Sequence, residues 1–134
     1  MQPLTNMTVL VAEDERSVRM LLRVVLEAAG ARVLEADDGI QALRLLELHA
    51  DVDVLCTDVN MPNLDGPGLV DAARMRRPDL PVVVCSALDL RGHAAPLAGL
   101  ADAHVQKPFV PSDLVRAISG SYPRPARRDS VAAS

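Results

Sequence analysis

Residues 8–30 read TVLVAEDERSVRMLLRVVLEAAG. The run from Thr8 to Ala12 is short, apolar and rich in Val. Glu13, Asp14 and Glu15 follow as three consecutive acids. Beyond them Val18, Leu21, Leu22, Val25 and Leu26 recur at helical spacing until Gly30 supplies a stop. A buried strand leading through a polar turn into an amphipathic helix is the opening of a βαβ unit, and the alternation repeats along the chain. Apolar, β-branched runs return at 32–35, 53–57, 81–85 and 103–106. Helical stretches are predicted over 38–50, with Ile40, Leu43, Leu46 and Leu48 apolar, and over 65–77, opened by Gly66-Pro67 and closed before Pro78. Another covers 112–119, begun by Pro111 or Ser112. Between Cys85 and Ala103, the residues Gly92, Pro96 and Gly99 leave room only for a short or frayed helix. Five strands alternating with helices predict an α/β fold with a parallel sheet and right-handed crossovers.

Composition narrows the function. The chain has 134 residues, enough for one domain with its own core. It is 49% apolar but holds one Phe, one Tyr and no Trp, so the core must be built from Val, Leu, Ala and Ile. Net charge is -4, and the last fourteen residues carry Arg124, Arg127 and Arg128 against Asp129, which leaves the body near -6. An acidic body offers no footprint for nucleic acid and suits a divalent cation instead. Cys56 and Cys85 lie inside apolar runs and read as reduced, buried thiols of a cytoplasmic protein. No stretch reaches the ~20 apolar residues of a membrane helix, and residues 1–7 lack the pattern of a signal peptide. The Pro/Arg/Ser/Ala tail at 121–134 reads as a disordered, basic, solvated segment.

In an open parallel sheet, ligands bind at the carboxyl ends of the strands. The polar residues fall there: Glu13-Asp14 after the first strand, Asp58 after the third, Ser86 after the fourth and Lys107-Pro108 after the fifth. Each alone is ordinary, since an Asp after a strand usually caps a helix and a Lys is usually a solvated surface group. Their coincidence at one sheet edge is not ordinary. The chain also uses Arg thirteen times and Lys once, and that Lys is Lys107. A compact ammonium approaches a small oxyanion more closely than a planar guanidinium fork does. His49 and His93 have no zinc spacing and read as surface residues.

Four separated motifs carry a family resemblance: Val9 to Glu15, then Thr57-Asp58-Val59-Asn60-Met61-Pro62 with Leu64-Asp65-Gly66, then Ser86-Ala87, then Lys107-Pro108-Phe109. Over residues 7–120 the chain resembles the receiver domains of bacterial response regulators, including receivers attached to hybrid histidine kinases. The resemblance implies a flavodoxin-like, doubly wound (βα)5 fold with strand order 2-1-3-4-5. It implies that Asp58 is the phosphoacceptor, and that Mg²⁺ is held by Asp14, Asp58, the backbone carbonyl of Asn60 and, through a water, Glu13. Ser86, Ala87 and Lys107 would bind the phosphoryl group. Ser86 and an aromatic on the fifth strand would form the switch, and His104 stands where the family usually has Tyr or Phe. Asn60 and Leu88 occupy the positions that tune dephosphorylation; apolar Leu88 is expected to shield the phosphoryl group and keep its loss slow to moderate.

The chemistry needs these groups. A carboxylate is ionised at neutral pH and serves as nucleophile without a general base. The obstacle is repulsion between an anionic nucleophile and an anionic phosphoryl group, which a divalent cation and an ammonium relieve. Without the metal, clustered carboxylates raise one another's pKa. The expected protein is a signalling switch rather than an enzyme acting on other molecules. Its donor would be a histidine kinase or a histidine phosphotransfer protein, its downstream partner a protein, and a phosphorylation-dependent homodimer is compatible. The alternative in another class is a pseudo-receiver that binds partners without phosphate. A flavin protein would want aromatics, and a haloacid-type phosphatase would want an Asp where Arg16 stands.

Overall fold

The computed structural model describes residues 2–86 and 101–123. Expectations for Ala87, Leu88, His93, the segment between the fourth and fifth strands, and the arginines of the tail lie outside the described residues. The strands are β1 (Thr8–Ala12), β2 (Arg32–Ala36), β3 (Val54–Thr57), β4 (Val82–Ser86) and β5 (Ala103–Gln106). Four helices stand among the described residues: α1 (Arg16–Ala28), α2 (Gly39–Leu48), α3 (Gly66–Arg76) and α4 (Pro111–Ser121). All strand pairings are parallel and the order is β2-β1-β3-β4-β5. This is the doubly wound (βα) architecture expected.

The central strands are apolar throughout because both sheet faces are covered. Every residue of β1, β3 and β4 is buried. Successive side chains alternate between two cores. Leu10, Ala12, Leu55, Val82 and Val84 pack with Ala42 and Leu46 of α2 and Leu69, Val70 and Ala73 of α3. Val9, Val11, Cys56, Val83, Cys85 and Val105 pack with Leu22 and Leu26 of α1 and Leu114 and Ile118 of α4. Cys56 and Cys85 are buried free thiols. Ahead of β1, the fully buried Leu4 joins this second core, its N–H bonded to the Ala29 carbonyl.

Helix boundaries follow from local chemistry. Asp38 caps α2 by accepting from the Gln41 N–H at 2.7 Å, and Asp65 caps α3 by accepting from the Gly68 N–H at 2.9 Å. Pro111 opens α4, the position where its missing N–H costs nothing. After α1, Gly30 takes φ 102°, a conformation that favours glycine. The apolar stripes are narrower than their spacing predicts. On α1, Leu22 and Leu26 are buried, whereas Leu21 is 52% exposed beside exposed Met20 and Val24. On α2, Ile40 and Leu48 are exposed and Ala42 and Leu46 face the core. A helix lying on a sheet buries only the residues directly beneath it.

Candidate functional site

Three polar side chains stand one residue past a strand, and each closes one more rung of the ladder. The N–H of Glu13 bonds to the Ala36 carbonyl of β2 at 3.0 Å, that of Asp58 to the Ala12 carbonyl of β1 at 3.0 Å, and that of Lys107 to the Ser86 carbonyl of β4 at 2.8 Å. The backbone of the site therefore inherits the rigidity of the sheet. Ser86, expected at the end of the fourth strand, is the last residue of β4, buried and paired with Gln106.

The side chains converge. Glu13, Asp14 and Asp58 each present a carboxylate oxygen, and the three lie within 4.8 Å of one another. Glu13 is only 2% exposed, Asp58 is half-buried and Asp14 faces solvent. The ammonium of Lys107 donates to Glu13 Oε1 at 2.5 Å and stands 3.5 Å from Asp58 Oδ2. The other oxygen of Asp58, Oδ1, accepts from the Val59 N–H at 2.7 Å, which fixes the plane of the carboxylate. Burial pushes the Glu13 carboxyl upward and the nearby Asp58 charge adds to this; hydrogen bonds from Lys107 and from the Glu15 N–H offset only part of it. Burial works against the charge on Lys107, but the Glu13 hydrogen bond and the fields of Asp58 and Glu13 outweigh it and raise its pKa. Lys107 is thus an ammonium at neutral pH, held over an acidic pocket.

An all-oxygen set of one exposed and two more sheltered carboxylates, with neither His nor Cys, suits a small hard cation. Mg²⁺ fits this donor set, and solvent at Asp14 leaves room for the waters it keeps.

A profile of the response regulator receiver domain matches residues 9–119. The chain belongs to the response regulator receiver family. It is 38% identical over 112 residues to a probable transcriptional regulator, ycf27, of Guillardia theta, covering 82% of this chain and 43% of that protein. It is 37% identical over 131 residues to the transcriptional regulatory protein PrrA of Mycobacterium tuberculosis, covering 97% of this chain and 54% of PrrA. The receiver thus spans about half the length, or less, of these relatives. Sensor proteins match as well, over 8% and 7% of their lengths. Among solved structures, the chemotaxis response regulator CheY4 of Vibrio cholerae superposes with a TM-score of 0.78 at 29% identity, covering 87% of this chain and 98% of that one. The chain is accordingly a receiver domain of a two-component system, and no helix among its described residues is long and apolar enough to cross a membrane.

Asn60 is exposed in the loop after Asp58. His104 pairs with Val84 in the sheet, and its side chain is exposed. β5 is the edge strand, and of its residues only Val105 is buried.

Two features of the receiver site escaped the sequence reading. The Asp58 loop is latched to the turn before α2: Asn63, at φ 70°, donates to Asp38 Oδ2 at 2.7 Å. And Arg19 of α1 donates to the carbonyl of Glu13 at 2.8 Å. The signal for the first was an Asp one residue before a helix; for the second, only an Arg one turn beyond the acidic triplet.

Proposed function

We propose that this receiver accepts a phosphoryl group on Asp58 from a phosphohistidine of a histidine kinase or phosphotransfer protein, in a Mg²⁺-dependent step. The observation that carries the reading is the convergence of three carboxylate oxygens within 4.8 Å, with the Lys107 ammonium 3.5 Å from Asp58. Asp14 and Asp58 would hold the metal, with the Asn60 carbonyl and, through a water, Glu13. Bound there, Mg²⁺ supplies charge neutralisation for the phosphoryl oxygens. In the transfer, a carboxylate oxygen of Asp58 bonds to phosphorus as the P–N bond of the donor breaks and its electron pair returns to the imidazole. Lys107 neutralises a second phosphoryl oxygen, swinging from its Glu13 bond, and Ser86 donates a hydrogen bond to another; Ala87 would lie against the group. The readout follows from Ser86 moving toward phosphate, which vacates space for an inward His104, exposed in the present state. Leu88 and Asn60 would set access of the hydrolysing water. The switched face would then bind a protein partner or a second receiver.

Incubation with phosphorylated histidine donors tests this. Label should move to wild type only with Mg²⁺ and not to Asp58→Asn. Beryllofluoride with Mg²⁺ serves as an independent probe; failure of wild type to bind it would return the chain to a phosphate-independent interaction module.

A further inference from the structure

The Glu13 peptide is held from both sides. Its N–H donates to the Ala36 carbonyl at 3.0 Å, and its carbonyl accepts from Arg19 Nη1 at 2.8 Å. The same guanidinium donates through Nε to Glu35 Oε1 at 3.3 Å, and Glu35 is braced in turn by Arg23 at 2.5 Å. Arg19 is itself sheltered, its side chain 17% exposed. The helix it springs from starts without a side-chain cap: Glu15 caps nothing, and there is no acid in the first turn. The turn that presents Glu13 and Asp14 to the pocket is therefore anchored across to β2 by a guanidinium fork, where α2 and α3 use a capping Asp.

We propose that Arg19 is a positioning residue for the metal pocket, holding the Glu13-Asp14 turn so that both carboxylates meet that of Asp58. The inference rests on the Mg²⁺-dependent reading above. It has a sign that electrostatics alone does not share. Removing a cation near a divalent metal site lowers repulsion and tightens metal binding; removing an anchor loosens the site and weakens it. Arg23 supplies the control, since its loss removes the same charge and a contact to Glu35, with its Glu27 pair, but leaves the bond to the Glu13 carbonyl in place.

Calorimetric titration of Mg²⁺ into wild type, Arg19→Ala, Arg23→Ala and Arg19→Lys, with melting temperatures of each, tests the proposal. Arg19→Ala should bind Mg²⁺ about tenfold more weakly, with Arg23→Ala within about twofold of wild type, the scatter of a solvated pair. Arg19→Lys keeps the charge but has no fork to span both the Glu13 carbonyl and Glu35, and should fall between them; it carries the test if Arg19→Ala does not fold. Wild-type or tighter binding by Arg19→Ala, or by Arg19→Lys alone where it is the surviving variant, would overturn the proposal. So would equal weakening in Arg19→Ala and Arg23→Ala. Absence of Mg²⁺ binding in wild type would instead bring down the metal-dependent reading itself, and this inference with it.

Discussion

Lys107 bridges two carboxylates that lie 45 positions apart in the chain, Glu13 and Asp58, and its loss would leave Glu13 buried without its principal donor. Lys107→Met should lower unfolding free energy by about 1–3 kcal/mol, the cost of orphaning a buried acceptor. The double variant with Glu13→Gln should recover part of that loss, which urea titration of the four species measures. The thiols make a second prediction at this scale. Burial pushes the Cys85 thiol up to about 12, and Cys56 is raised in the same direction for the same reason. Native protein at pH 8 should therefore resist a thiol reagent until denaturant exposes both. The sign for stability follows. In the unfolded chain the Cys85 thiol ionises near its ordinary 9.0, before the folded one does. Stability is thus intact below about that pH and falls as pH climbs from there toward 12. Replacing Cys85 with Ala should flatten that alkaline decline.

Among the elements, the loop between β3 and α3 packs closely against the start of α3. A Cβ added at Gly66 would sit 2.5 Å from the Asp58 carbonyl oxygen and 2.9 Å from the Val59 Cα, both backbone atoms that cannot step aside alone. Gly66→Ala should cost about 1–3 kcal/mol and depress phosphorylation of Asp58 in proportion to the loop's displacement. Gly120 in α4 is the contrast, with nothing within 4 Å of the place a Cβ would take. Gly120→Ala should stabilise the domain by about 0.4–1 kcal/mol, because it restricts the unfolded chain and favours helix. Thermal melts of the two variants should move in opposite directions. The Gly66 constraint was invisible along the sequence, where the residue read only as a helix opener with Pro67. Its close neighbour is the carbonyl of Asp58, brought over it by the fold of the loop.

For the whole molecule, the covered sheet and the acidic edge act against each other. The two cores on either side of β1, β3 and β4 supply stability, and Leu55→Ala at the centre should cost about 2–5 kcal/mol. At the carboxyl edge, three carboxylates and one ammonium leave an excess of negative charge that a divalent cation would offset. Mg²⁺ should accordingly raise the melting temperature in a concentration-dependent way that a chelator reverses. Asp14→Asn should blunt the response; an equal rise in that variant would count against Asp14 as a ligand.

Local patterning along the chain marked out the strands and most of the helices, and put Glu13, Asp14, Asp58 and Lys107 at strand ends. Hydrophobic periodicity and turn chemistry are local, so they survive being read along a line. Strand order was not a matter of spacing; it entered through the family resemblance, and the parallel pairings then placed the strand ends side by side. Relations between residues far apart in the chain came from the folded arrangement. Glu13, outwardly one acid in a run of three, is buried because Lys107, 94 positions away, reaches back over the sheet edge to pair with it. Leu21 faces out and His104 lies exposed because the sheet beneath a helix is narrow and β5 has a neighbour on one side only. Arg19 gained its role in the same way, from the distance between a helix side chain and one carbonyl of the preceding strand's end.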